Sequence, residues 1–197
     1  MNLGTIVGLP TGKATRDAFG EALRALGAER PDLFVVDGDV SNSTRTEWFA
    51  KDHPERFFNV GIAESNLVGV ASGLAASGKT VVAASFAAFL LCNAYDQIRM
   101  SVAFPHLNVK LVGSHAGISI GEDGPSQMGI EDVALACSLP GMTVVVPSDE
   151  HQTRAAVRAL LDFDGPAYLR VGRPAAPKIY DEGVEFELGK AYRVREG

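Results

Sequence analysis

Two parts of this sequence place polar side chains where they could do chemistry. Glu64 stands at the start of an apolar stretch, Ala63 to Ala76, that has the length and composition of a helix. A first-turn carboxylate interacts favourably with the helix dipole, but a partly buried one is also suited to proton exchange. His115 and Asp123 lie in a glycine-rich segment after an apolar strand, and loops in that position often carry functional residues. The sequence therefore offers one candidate proton-exchanging carboxylate and one candidate substrate-binding loop.

Two other groups of residues could bind a flat or an anionic ligand. Phe86 and Phe89 are three residues apart, a spacing that puts both on one face of a helix. Such a pair ordinarily packs in the core, although a heteroaromatic ring could stack on it. Arg16, Arg170 and Arg173 are either surface charges or phosphate ligands, since guanidinium groups are preferred partners of phosphate.

Alternating strand and helix patterns must position these residues. Strands are predicted over 33–36, 81–84, 109–112, 143–146 and 167–171, with a short one near 57–60. Helices are predicted from Thr15 and over 63–76, 87–102, 130–137 and 149–161. This alternation indicates an α/β fold, with a doubly wound, mostly parallel sheet and helices on both faces. Ligands bind outside the carboxyl ends of the strands in such sheets, and the candidate residues fall there.

Length and composition restrict the class of protein. The 197 residues carry a net charge of −6, with 46% hydrophobic and 21% charged residues. We therefore expect a cytoplasmic protein that binds neither nucleic acid nor membrane. An N-terminal arm (1–14), a single domain (15–174) and a C-terminal linker or tail (175–197) are predicted. Cys92 and Cys137 stand in apolar contexts without metal-ligand spacing, which predicts reduced thiols in the core.

Five segments, in a fixed order, resemble the pyrimidine-binding domain of transketolases. They are Gly-Ile-Ala-Glu at 61–64, Ser-Phe-Ala-Ala-Phe at 85–89, Tyr-Asp-Gln-Ile-Arg at 95–99, Gly-Glu-Asp-Gly-Pro at 121–125 and Val-Pro-Ser-Asp at 146–149. The resemblance extends from about Thr15 to Arg173 and is strongest to the C-terminal subunit of split transketolases, whose enzyme is divided between two chains. It implies a thiamine-diphosphate-binding fold and transfer of a two-carbon ketol unit between sugar phosphates.

The resemblance also implies how the cofactor is held. Glu64 is expected to bond the ring nitrogen of the aminopyrimidine and to control its protonation. Phe86 and Phe89 occupy the positions that stack on this ring, and Asp39 lies beside the cofactor site. The chemistry belongs to the cofactor, and the protein supplies orientation and proton handling.

A second set of residues is implied to bind the sugar. His115 corresponds to a histidine that contacts substrate oxygens near the reacting carbons, and Asp123 to a carboxylate that binds a sugar hydroxyl. Arg16, Ser43 and Arg173 correspond to positions that hold the terminal phosphate.

Three positions depart from the family pattern. Gln127 stands where a histidine is usual, so the side chain can donate a hydrogen bond but cannot titrate. Cys92 replaces an aromatic residue of the stack, and Asn93 replaces an arginine. These differences leave the donor and acceptor sugars open.

The rest of the site is expected on another chain. Asp37-Gly38-Asp39 lacks the downstream asparagines of a metal–diphosphate motif, so no metal ligand is predicted here. The diphosphate and a Mg²⁺ or Ca²⁺ ion are expected to be bound through a separate N-terminal subunit, in a homodimer or heterotetramer. The family's small C-terminal domain is also not found in the sequence. This chain alone is therefore expected to be inactive.

Two alternative functions remain. One is a subunit of a related thiamine-diphosphate enzyme, either like deoxyxylulose-phosphate synthase or like the β subunit of a 2-oxo-acid dehydrogenase. The other is a non-catalytic assembly module. The presence together of Glu64, Phe86, Phe89 and His115 argues against the module.

Overall fold

A six-stranded parallel sheet forms the centre of the computed structural model, which describes residues 8–196. The strands are β1 (Thr11–Ala14), β2 (Leu33–Asp37), β3 (Phe57–Asn59), β4 (Thr80–Phe86), β5 (Val109–Ser114), β6 (Thr143–Val145), β7 (Ala167–Arg170) and β8 (Ala175–Pro177). Their order in the main sheet is β3-β2-β4-β5-β7-β6, while β1 and β8 form a separate antiparallel pair. The central strands are apolar almost throughout because helices cover both faces.

Two layers of helix enclose this sheet. The helices are α1 (Thr15–Glu29), α2 (Ser41–Thr44), α3 (Glu47–Asp52), α4 (Glu64–Ala76), α5 (Tyr95–Ile98), α6 (Asp132–Cys137) and α7 (Glu150–Asp162). One hydrophobic cluster contains the buried faces of α1 and α7, including Phe19, Leu23 and Leu160. A second cluster contains α4 and the chain around α5, including Leu67 and Ile98. The prediction of a doubly wound α/β domain is confirmed.

The sheet reverses its winding between β2 and β4. After β2 the chain adds β3 on one side and then places β4 on the other side of β2. The connections that leave the carboxyl ends of β2 and β4 therefore diverge, and the edge between them, here called the cleft, is where sheets of this kind bind ligands. Gly38, just after β2, donates a backbone hydrogen bond to Ala84 in β4 at 3.2 Å and keeps the two ends together.

The long helix predicted over 87–102 is wrong in its form. The segment consists of a π-helical turn at Phe89–Asn93, the short helix α5, and a second π-helical turn at Arg99–Ala103. Apolar periodicity does not distinguish hydrogen bonding to the fourth residue from bonding to the fifth, so the pattern could not show these turns.

Both ends of the domain contain strands that the sequence did not indicate. The end of the N-terminal arm forms β1, and the first residues of the tail form β8. The helix α1 begins at Thr15 as predicted, with Ala14 at the cap position, and the Thr15 hydroxyl accepts a hydrogen bond from Gly172 N at 2.7 Å. Thr15 therefore joins the start of α1 to the chain after β7.

Cys92 and Cys137 are free thiols, but both are exposed, so their placement in the core is wrong. The pKa of Cys92 is raised to about 11 by desolvation and by its hydrogen bond to Glu131. Within residues 8–196, no helix is both long enough and apolar enough to cross a bilayer.

Candidate active site

Glu64 lies at the base of the cleft between β2 and β4. It is the first residue of α4, and its side chain is buried, with 4% of the residue exposed. Ser85, near the end of β4, donates a hydrogen bond to Glu64 Oε1 at 2.9 Å. A Cβ on Gly38 would lie 3.2 Å from Ser85 Oγ and 3.5 Å from Glu64 Oε1, so the glycine allows close packing here. The carboxylate is thus fixed in direction and retains acceptor capacity for a ligand.

Three aromatic rings form a stack centred on Phe86, the residue after Ser85. The rings of Phe86 and Phe89 are nearly parallel, with centroids 5.7 Å apart. The ring of Phe86 also stacks with that of His115, with a centroid separation of 4.3 Å and an interplanar angle of 23°. Phe86 ends β4 and Phe89 starts the π-helical turn, so the two do not share one helical face as the spacing predicted. The two phenyl rings nevertheless stack on each other.

His115 is held in a single tautomer by two neighbours. Its Nε2 lies 3.1 Å from Arg16 Nη1, and its Nδ1 lies 2.8 Å from Ser114 Oγ. A guanidinium only donates, so Nε2 accepts and the ring proton resides on Nδ1. Burial, followed by the charges of Arg16 and Arg173, lowers the pKa of His115 to about 4. The ring is therefore neutral at physiological pH.

Arg16 is a mostly buried cation whose Nε forms a 3.9 Å ion pair with Asp17. Its Nη1 donates to the Ser43 carbonyl at 3.1 Å, whereas its Nε is buried and has no hydrogen-bond partner among the described residues. Burial and the neighbouring Arg45 lower the pKa of Arg16, because both disfavour a further positive charge. An anion beside Arg16 would offset the repulsion from Arg45.

The glycine-rich loop places its carboxylates against an arginine. Arg173 forms ion pairs with Glu122 at 2.7 Å and with Asp123 at 3.3 Å. Gln127 accepts a hydrogen bond from its neighbour Ser126. In this arrangement Arg173, the candidate phosphate-binding residue, is paired with Asp123, the candidate sugar-binding residue.

Asp39 lies at the edge of the cleft, just beyond β2. It is exposed, has a positive φ of 66°, and accepts a hydrogen bond from Asn59 Nδ2 at 2.7 Å. The structure thus brings Glu64, Phe86, Phe89, His115, Arg16 and Ser43 to one edge of the sheet, with Asp39 and the loop at its rim.

Sequence reasoning missed the residues that hold these groups. Asp37 is buried at the end of β2 and accepts hydrogen bonds from Val40 N, Thr44 Oγ1 and Thr46 Oγ1, at 2.7–2.8 Å. It thereby shapes the turn that carries Ser43, and burial raises its pKa. The sequence pattern that could have identified Asp37 is a polar residue at the end of an apolar strand, and Ser85 and Ser114 show the same pattern.

Arg170 has a different place from the one its type suggested. Its guanidinium pairs with the buried Asp132 at 2.8 Å and also bonds the Gly129 carbonyl, so it is neither a simple surface charge nor a free phosphate ligand. Within residues 8–196, no three His, Cys, Asp or Glu side chains are grouped so that they could hold a metal ion.

The donor set fits an aminopyrimidine. A buried carboxylate can accept from, or share a proton with, a ring nitrogen, and nearly parallel phenyl rings can stack on a flat heterocycle. Fold and cleft together define the class: the chain has the thiamine-diphosphate-binding fold, in the version that binds the pyrimidine ring.

Comparison with known proteins gives the family. The profile described as "Transketolase, pyrimidine binding domain" matches residues 11–178, and the chain belongs to this family. It is 44% identical, over 94% of its length, to a Methanocaldococcus jannaschii protein provisionally described as a transketolase C-terminal section. It is also 44% identical, over 90% of its length, to the transketolase of Homo sapiens.

A solved structure is similar over nearly the whole chain. It is described as "Split gene transketolase, inactive beta4 tetramer", with a TM-score of 0.85, 47% identity and coverage of 94% of this chain. The present chain spans 60% of that structure, 59% of the M. jannaschii relative and 28% of the human enzyme.

Proposed function

We propose that this chain is the pyrimidine-binding, C-terminal subunit of a two-chain transketolase that transfers a two-carbon ketol unit between sugar phosphates. The observation that carries the proposal is the buried Glu64 carboxylate, which accepts a hydrogen bond from Ser85 near the end of β4, one residue before the stacked ring of Phe86. The split-gene structure and the M. jannaschii relative support a two-chain enzyme.

Glu64 has the role of holding a proton against the pyrimidine ring nitrogen. Ser85 occupies one site on Oε1, and the remaining lone pairs of the carboxylate face a ligand's donor. Burial excludes water, which would otherwise compete for that proton. Phe86 and Phe89 would hold the ring by stacking, with Asp39 at the rim. When bound, thiamine diphosphate supplies the carbon nucleophile that carries the ketol unit.

The other residues of the cleft would bind the sugar phosphate. His115 is neutral and held by Arg16 and Ser114, and it would exchange one of these partners for sugar oxygens near the reacting carbons. Arg16, beside Ser43, would bind the terminal phosphate through its positive charge. Arg173 would exchange its present carboxylate partners for this phosphate, which would release Asp123 to a sugar hydroxyl. Gln127 adds a non-titrating hydrogen bond.

The remaining components are assigned to a partner. The diphosphate and its Mg²⁺ or Ca²⁺ ion would be bound through an N-terminal transketolase subunit, in a heterotetramer or comparable assembly. The expected setting is the cytoplasmic conversion of pentose phosphates. It follows that this chain alone has no ketol-transferase activity.

The test is reconstitution with a matching N-terminal subunit, thiamine diphosphate and Mg²⁺. The mixture should transfer ketol units, and Glu64→Gln should slow hydrogen–deuterium exchange at the thiazolium carbon by about 10²–10⁴, the range for acid–base groups. The substitution keeps the side chain's volume and one hydrogen bond but removes proton exchange.

Glu47→Gln is the matched control, since Glu47 is also the first residue of a helix but is exposed rather than buried. It should leave the exchange rate unchanged. If Glu64→Gln exchanges the thiazolium proton at the wild-type rate, Glu64 is only a charge at the start of a helix. If the chain alone transfers ketol units, no partner subunit is needed.

A further inference from the structure

The loop that carries Asp123 and Gln127 is closed at its base. Gly117 N donates to the Gly129 carbonyl at 2.8 Å, and Ala116 forms an isolated parallel bridge with Gly129. The chain therefore leaves the sheet just after His115 and returns to almost the same point at Gly129. Any movement of this point would move the whole loop relative to the rings.

Arg170 binds that point from the end of β7. Its Nη2 donates to the Gly129 carbonyl at 3.1 Å, and its Nε donates to Asp132 Oδ2 at 2.8 Å. A Cβ on Gly117 would lie only 3.2 Å from Arg170 Nη2, so the guanidinium lies against both ends of the loop. Because Arg170 ends a paired strand of the central sheet, the loop base is tied to the most rigid part of the fold.

Asp132 and Tyr168 hold the guanidinium in this orientation. Asp132 is fully buried, and its Oδ2 also accepts the Tyr168 hydroxyl at 2.6 Å. Burial and the adjacent carboxylate raise the pKa of Tyr168 well above its ordinary value, so the phenol remains a donor. Pairing and hydrogen bonding at Oδ2 offset part of the cost of burying this carboxylate, whereas Oδ1 is buried without a hydrogen-bond partner among the described residues. The carboxylate and the phenol thus act on the loop through Arg170.

Gly129 also contacts the segment between the stacked phenylalanines. A Cβ at this position would lie 3.0 Å from Ala88 N and 3.1 Å from Ala87 Cβ. The same backbone unit that accepts the Arg170 hydrogen bond is therefore packed against the chain between Phe86 and Phe89. Arg170 couples the loop base to the ring stack through a single carbonyl.

We propose that Arg170 is a positioning residue, which sets the distance of the loop bearing Asp123 and Gln127 from the stacked rings and so controls the binding of the sugar substrate. The part about substrate deepens the function proposed above and rests on it. The anchoring of the loop is independent of that function.

The first test measures the loop in the chain without ligands. Arg170→Lys keeps a positive charge near Asp132 but replaces the two-armed guanidinium, so the bond to Gly129 is lost. Amide hydrogen exchange in peptides covering 116–130 should accelerate by about tenfold, which corresponds to about 1.4 kcal/mol. Arg158→Lys is the control: it makes the same replacement at an exposed arginine of α7 that pairs with Glu29, and it should not accelerate exchange in the loop.

The second test uses the reconstituted enzyme. Arg170→Lys should raise KM for the ketose phosphate by about tenfold, while kcat changes little because Glu64 and Ser85 are untouched. Arg158→Lys should alter neither constant. Unchanged loop exchange in Arg170→Lys, or equal kinetic effects of the two substitutions, would overturn the inference. A wild-type mixture without ketol transfer would instead refute the proposed function, and loop exchange would still decide the anchoring role.

Discussion

His115 shows how a single residue is prepared for substrate by its neighbours. Its backbone has a positive φ of 59°, which is uncommon for a non-glycine residue, and its ring is almost wholly buried. Nε2 accepts a hydrogen bond from Arg16, and Nδ1 donates one to the Ser114 hydroxyl oxygen. The strained backbone and the fixed tautomer both favour a functional role over a structural one.

The low pKa of His115 predicts a specific dependence of stability on pH. The folded pKa is about 4, and the unfolded value is about 6.5. Between these values the unfolded chain binds more protons, so stability is full above about pH 6.5 and declines as the pH falls towards 4. Between pH 7 and 5 this group should cost about 2 kcal/mol of unfolding free energy. His115→Asn, which tolerates positive φ, should remove that part of the decline.

Urea denaturation at the two pH values measures the effect. The difference in unfolding free energy between pH 7 and pH 5 should be smaller in His115→Asn than in the wild type. If the two proteins lose equal stability over this interval, His115 is not held neutral by its surroundings.

At the scale of elements, the packing of β5 against β7 requires a glycine at position 113. Gly113 in β5 pairs with Arg170, and a Cβ at this position would lie only 2.2 Å from the Tyr168 hydroxyl oxygen. Gly113→Ala should therefore displace Tyr168 from Asp132 and destabilise the fold by about 1–3 kcal/mol, the usual cost of overpacking. The midpoint of chemical denaturation is the measurement.

Gly69→Ala provides the opposite expectation. Gly69 is exposed inside α4, and a Cβ there would meet no atom within 4 Å. Alanine should stabilise the helix by about 0.5–1 kcal/mol. Similar effects of the two alanines would contradict the packing argument for Gly113.

Elements were predictable where a local pattern determined them. The buried strands β2, β4 and β5 appear as runs of apolar residues, and α4 as an apolar stretch ended by Ser77 and Gly78. The π-helical turns and the pairing of β1 with β8 were not predictable, because they depend on hydrogen bonds rather than on composition.

The site divides in the same way. The ordered motifs predicted that Glu64 and Phe86 lie at the carboxyl edge of the sheet, but not which residues support them there. Arg16 and His115 are 99 positions apart, and Asp132 and Arg170 are 38 apart. A single sequence contains no signal for such contacts, and the exposure of Cys92 and Cys137 also depends on tertiary packing.

At the scale of the whole molecule, exposed apolar side chains indicate self-association. Phe104 is 83% exposed and Met100 is 47% exposed. Phe104 also lines a groove of about 570 Å³ together with Tyr95, His106 and Leu139. Apolar surface of this kind usually marks an interaction site, and symmetric dimers are the commonest closed assembly.

We predict that the chain sediments as a dimer or larger species at roughly tens of micromolar, a concentration at which even weak dimers form. Phe104→Asp should shift it to monomer, because a charge would be buried in the contact. Val194→Asp is the control, since Val194 is 64% exposed but lies in the tail, away from this groove. A wild-type chain that is monomeric under these conditions would show that this face does not self-associate.

The pairing of β1 with β8 has a consequence for the order of folding. Thr11 pairs with Pro177 and Ala14 with Ala175, so the two strands are separated by almost the whole domain. Closing so long a loop costs conformational entropy before any contact is gained, and contacts distant in sequence form slowly. We expect this small sheet to form last during folding and to open first in the native protein, before the central parallel sheet loses any of its strands.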